Sequence, residues 1–155
     1  DAEQLPWQRR TLLSKTKEPA REARILLIDT VGELSAWWGR ADIGFVGGSL
    51  STRGGQNMIE PAAYSVAVCF GPHTHNFRDI VTALKSADAV TVVENGKDLT
   101  AFVRRCLSDR AYRKTMGERA SSLVISSRGA TQQTVKCLLD AVDHSHSLLP
   151  KSTAA

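Results

Sequence analysis

Five apolar runs of strand length alternate with stretches of helical length along the first hundred residues, and this alternation restricts the fold more than any motif does. The runs are "LPWQRR" (5–10), "RILLID" (24–29), "DIGFVGG" (42–48), "VAVCFG" (66–71) and "AVTVVE" (89–94). Between the later runs lie "GELSAWWGRA" (32–41), "NMIEPAAYS" (57–65) and "NFRDIVTALKSA" (76–87), each long enough for a short helix. Strand following helix in this way implies parallel pairing through right-handed crossovers. "ILLI", "VAVCF" and "VTVV" are apolar at consecutive positions, as strands covered on both faces should be. The expectation is an α/β fold: a Rossmann-like parallel sheet with helices on both faces, in which 24–29 is a buried strand.

After residue 97 the strand signals stop. Three helical segments follow, at about 97–108, 110–127 and 129–142. Ser108 and Asp109 have the chemistry of an N-cap for the middle one, and Gly129 marks a break before the last. The ending "HSHSLLPKSTAA" is polar and interrupted by proline, so a single domain over 1–145 and a frayed tail over 146–155 are expected. With 155 residues, 42% of them hydrophobic, the chain can build one well-buried core and not two. No apolar run approaches the roughly 20 residues a membrane span needs, and "DAEQLPWQRR" has no secretory h-region. Cys69, Cys106 and Cys137 are odd in number and far apart, which suits free thiols in a reducing compartment. The net charge of +4 is too small to imply a nucleic-acid partner.

Residues 47–61, "GGSLSTRGGQNMIEP", place four glycines within nine residues, and each weakens regular structure by roughly 0.5–1 kcal/mol. The stretch follows one strand and precedes a helix. In an open parallel sheet that is where ligands bind, with helix N–H groups free for an anion. Glu60, one turn into the helix, suits ribose hydroxyls rather than a phosphate. The competing structural reading is local capping. Asn57 and Glu60 have the spacing of a capping box, with Asn in place of Ser or Thr, and Pro61 falls in the first turn, where its missing N–H costs little. Capping does not account for the glycines.

A second junction, "DTVGEL" (29–34), follows "ILLI". Asp29 or Thr30 could cap the next helix, and Glu33 could complement its dipole. Two such junctions on neighbouring strands would face one crevice, which favours a nucleotide site. His73 and His75 in "FGPHTHNF" lack a third ligand at metal spacing, so no metal is expected. Trp37 and Trp38 read as helix-to-sheet packing. There is no P-loop, nucleophile elbow or GxGxxG.

"DTVGEL", "GFVGGSL", "RGGQNMIEPAA" and "GPHTHNF", in that order and spacing, resemble the C-terminal half of 3-deoxy-D-manno-octulosonic acid (Kdo) transferases, over about residues 5–142. The resemblance implies the donor domain of a two-domain GT-B glycosyltransferase. Such a domain binds CMP-Kdo for transfer of Kdo to a lipid A precursor in lipopolysaccharide assembly, with no separate cofactor. It places Val31, Gly32, Glu33, Asn57, Met58, Ile59 and Glu60 at the CMP, and Ser49, Gly54 and Gly55 in the glycine loop beside the donor. Arg53 is a candidate for the sugar carboxylate or the phosphate. Gln56 departs from the family's usual His. The family's N-terminal domain, which carries the acceptor site, membrane anchor and catalytic carboxylate, has no counterpart in these residues. The resemblance thus implies a fragment lacking its first strand, inactive alone, from an enzyme at the cytoplasmic face of the bacterial inner membrane. The alternatives are a GT-B domain for a UDP-sugar and a nucleotide-binding module without chemistry.

Overall fold

The computed structural model describes residues 5–13, 23–127 and 129–147. Five strands, β1 (Trp7–Arg9), β2 (Ile25–Leu27), β3 (Ile43–Val46), β4 (Ala67–Phe70) and β5 (Val90–Val92), all pair in parallel. They interleave with α1 (Arg10–Leu13), α2 (Leu34–Trp38), α3 (Ile59–Ala63) and α4 (Arg78–Ser86), the last preceded by a 3-10 turn over His75–Phe77. Three longer helices follow: α5 (Gly96–Ser108), α6 (Arg110–Ser126) and α7 (Ala130–Ser147). The α/β alternation and the change to helices after residue 97 are therefore as expected. The α7 helix runs past the expected end at 142, and residues 148–155 of the expected tail lie outside the described residues.

The strands divide into two sheets, β1–β2 and β3–β4–β5. β4 is central and buried at every position. Its side chains alternate between two apolar clusters, as the pleat requires. Val68 and Phe70 join Val46, Met58, Ala62, Val81, Leu84, Ala120 and Val124 on one face. Ala67 and Cys69 join Val93, Phe102, Cys106 and Met116 on the other. Helices thus cover both faces of this sheet, and α6 contributes to both clusters.

The expectation of a buried strand at 24–29 is corrected. All three residues of β2 are exposed, with Ile25 at 45% and Leu27 at 48%. Apolar composition marks a segment as strand-forming, but burial depends on what lies against it, and the main elements packed together here converge on β4 instead.

Capping chemistry at the long helices is direct. Asn95 Oδ1 accepts from the N–H groups of Lys97 and Asp98 at the start of α5. Asp109 Oδ1 accepts from Tyr112 N–H at the start of α6, as its side chain suggests. Ser108 takes no part in that cap, because its hydroxyl donates back to the Arg105 carbonyl. Gly117 lies in α6 where the helix crosses Ser65, and a Cβ there would collide with the Ser65 carbonyl oxygen.

Candidate nucleotide site

The loop from Gly47 to Gln56 leaves the carboxyl end of β3, as the alternation implies. Gln56 N–H donates to the Gly47 carbonyl, 3.0 Å, and Gly55 N–H to that of Gly48, 3.4 Å, closing the loop at its base. Gly54 and Gly55 have φ of +86° and +77°, the left-handed region that penalises a side chain. Gly54 also abuts the next loop, since a Cβ there would lie 2.6 Å from both His75 Nε2 and Asn76 Nδ2. Gly48 (φ +75°), Gly54 and Gly55 therefore have a backbone explanation, a tight, closed loop on which 73–76 rests, whereas Gly47 has no such constraint.

Ser49 is fully buried within that loop. Its hydroxyl donates to the Val46 carbonyl and accepts from Gly71 N–H, while its own carbonyl accepts from His73 N–H, 3.0 Å. Ser49 thus fastens the end of β3 to the end of β4. Arg53 is at the exposed rim, and its carbonyl accepts from Asn76 Nδ2, 3.3 Å.

A cleft of about 280 Å³ opens between α2 and this loop. Leu34, Trp38 and Phe45 form its apolar wall, and Gly47, Gln56, Asn57 and Glu60 its polar side. Glu60 and Asn57 are joined: Asn57 Nδ2 donates to Glu60 Oε1, 3.0 Å, and Asn57 Oδ1 accepts from Ile59 N–H, 3.0 Å. The capping-box expectation is corrected: Met58 occupies the cap position of α3 and makes no side-chain cap bond, while Asn57 precedes it and links Glu60 to the Ile59 N–H. The α3 start offers less to an anion than its sequence suggests. The helix is five residues long, and Asn57 already occupies one of its free N–H groups. Met58 is fully buried in the core, leaving only its backbone to meet a ligand, while Ile59 is 38% exposed.

The second junction leads into the start of α2, and of its residues Leu34 alone lines the cleft. Val31 is fully exposed, Gly32 has φ +88°, and neither lines the cleft. Glu33 makes a two-point ion pair with Arg10, Nε to Oε2 at 2.9 Å and Nη2 to Oε1 at 3.1 Å. Capping of α2 by Asp29 or Thr30 is overturned: Glu33 occupies the cap position and makes no side-chain cap bond. Asp29 instead accepts from the Thr11 hydroxyl, 2.8 Å, and from Thr11 N–H, 3.0 Å, bonds that hold its carboxyl below the usual range. Thr30 Oγ1 is buried without a partner. Nor are β2 and β3 hydrogen-bonded neighbours, so the expectation of two junctions on neighbouring strands facing one crevice is corrected: the strands belong to different sheets, and the junction after β3 supplies the polar side of the cleft.

Of the candidate residues, Asn57 and Glu60 meet at the cleft. Ser49, Gly54 and Gly55 shape the adjoining loop, and Val31, Gly32 and Glu33 form a separate turn at the start of α2. Sequence reasoning missed the wall residues Leu34, Trp38 and Phe45. Trp38 does pack against the core as expected, and the same ring lines the cleft, with Nε1 buried and unpaired. In the sequence Arg10 counts only as surplus charge; its position beside Glu33 depends on β1 pairing with β2. Among the described residues no group of His, Cys, Asp and Glu is placed to hold a metal.

No family model matches the chain. Among curated proteins it is 35% identical over 123 residues to the 3-deoxy-D-manno-octulosonic acid transferase of Bordetella pertussis, covering 79% of this chain and 29% of that protein. It is 34% identical over 126 residues to the enzyme of the same name from Haemophilus influenzae, covering 81% and 30%. The chain thus spans less than a third of the length of these curated relatives. Among solved structures it is similar to the C-terminal CMP-Kdo binding domain of WaaA from Acinetobacter baumannii, with a TM-score of 0.70 and 27% identity over 78% of this chain and 61% of that one.

Proposed function

From a chain that is homologous over most of its length to 3-deoxy-D-manno-octulosonic acid transferases, and that has the fold of a CMP-Kdo binding domain, we propose the donor-binding part of such a glycosyltransferase. The observation that carries this reading is the position of the cleft. It lies at the carboxyl end of β3, where an open parallel sheet binds nucleotides, and it holds a carboxylate, Glu60, beside a closed glycine loop. In this reading Glu60 accepts hydrogen bonds from the ribose hydroxyls, and Asn57 orients it. The wall of Leu34, Trp38 and Phe45 shields one side of the nucleoside, while Val31, Gly32 and Glu33, which lie outside the cleft lining, are left to the parts of the donor that extend beyond it.

The chemistry asked of these residues is positional. CMP is itself the leaving group, so a domain that holds it in place and offers N–H groups and cations to its phosphate lowers the barrier without forming a bond to it. No cofactor beyond the donor is invoked. The acceptor, a lipid A precursor, and the catalytic carboxylate belong in this proposal to the part of the enzyme outside the matched residues. So does attachment to the cytoplasmic face of the inner membrane. Among the described residues no helix is long and apolar enough to cross a membrane.

Titration calorimetry with CMP, and with UDP as the comparison, tests the reading. Saturable CMP binding with UDP at least tenfold weaker is expected. Preference for UDP would assign the domain to a different donor class.

A further inference from the structure

The motif "GPHTHNF" has no part in the nucleotide cleft, yet it rests on the same glycine loop. Pro72, His73, Thr74, His75 and Arg78 line a second hollow, about 260 Å³, and His75 abuts Gly54. Its lining contains two imidazoles, a hydroxyl and a guanidinium, and no carboxylate. Among the described residues neither Arg78 nor the nearby Arg53 has a carboxylate within ion-pair distance. Asp79, the next residue along α4, is not part of the lining. The hollow is held in place through His73 N–H on the Ser49 carbonyl and Asn76 Nδ2 on the Arg53 carbonyl.

We propose that His73, His75 and Arg78 form an oxyanion subsite that takes the carboxylate of the donor's sugar acid. This rests on the donor reading above. A nucleotide-activated octulosonic acid carries two anionic groups, the phosphodiester and the sugar carboxylate. The nucleotide cleft already contains Glu60, which would repel a second carboxylate. The guanidinium and imidazole donors of the hollow supply the opposite field, and a planar guanidinium matches a carboxylate in two-point geometry.

Calorimetry with CMP and with CMP-Kdo on the wild-type chain, Arg78→Gln and His75→Gln separates the parts. All three side chains of the subsite are exposed, so the variants keep the fold. Affinity for CMP-Kdo should fall about tenfold in each variant while affinity for CMP stays within twofold, since one charge-assisted contact is lost and only the sugar acid uses it. Variants that bind CMP-Kdo as the wild type does would overturn the subsite and leave the donor reading standing. Equal loss for both ligands would overturn it too, by assigning the cluster to the nucleotide phosphate. A wild-type chain that binds neither ligand overturns the donor reading itself.

Discussion

Glu60 is where the two readings of the glycine stretch meet, because one carboxylate both ties down Asn57 and faces the cleft. Glu60→Gln retains an oxygen for the Asn57 amide and removes the charge. If the carboxylate holds ribose hydroxyls, CMP affinity should fall about tenfold or more with the melting temperature nearly unchanged, as a charge-assisted bond contributes roughly 1.5–3 kcal/mol. Unchanged affinity in calorimetry, with lowered stability in Glu60→Ala, would reduce Glu60 to a cap. The cysteines make a second residue-scale prediction. Burial pushes the Cys69 thiol up to about 12 and raises that of Cys106, whereas Cys137 is exposed. A thiol reagent at neutral pH should therefore label Cys137 in the native chain and all three only after unfolding, read by mass spectrometry. The folded state keeps its Cys69 proton where the unfolded chain has lost it, so stability is full below the unfolded value near 9.0 and falls as pH rises from there toward about 12.

Among the elements, α6 shows how a position that is poor by local propensity can be required by packing. Glycine inside a helix costs about 1 kcal/mol against alanine, so on propensity alone Gly117→Ala should stabilise α6. The Ser65 carbonyl stands in the way of that Cβ. Ser65 itself has φ +59° and is tied to α6 by its hydroxyl on Ser121, so the turn between α3 and β4 cannot move aside freely. Overpacking of this kind typically costs about 1–3 kcal/mol, which exceeds the propensity gain, and the melting temperature of Gly117→Ala should drop by several degrees. A rise would mean that the turn yields. The caps follow the opposite logic, being local and additive: Asp109→Ala should lower stability by about 1 kcal/mol in chemical denaturation, whatever the rest of the fold does.

For the molecule as a whole, the 155-residue polypeptide should bind CMP-Kdo yet transfer no sugar, since it spans 29% of the Bordetella relative and the acceptor chemistry is assigned to the remainder. Turnover of CMP-Kdo onto a lipid A precursor by this chain alone would overturn that. The sequence by itself determined the five strand segments, the helices from residue 32 onward, the parallel arrangement and the change to helices after residue 97, but not α1 or the division into two sheets. These depend on periodicity and caps, which act within a few residues of one another. Asn57, Glu60 and the glycine loop were legible for the same reason, as a single stretch at a strand end. Tertiary structure alone decided that β2 lies exposed while β4 is enclosed, that Arg10 meets Glu33, that Leu34, Trp38 and Phe45 wall the cleft, and that the loop at 72–78 lies across Gly54. Burial, ion pairing and cavity shape arise between residues distant in the chain, and periodicity within a segment carries no information about which other segment will lie against it.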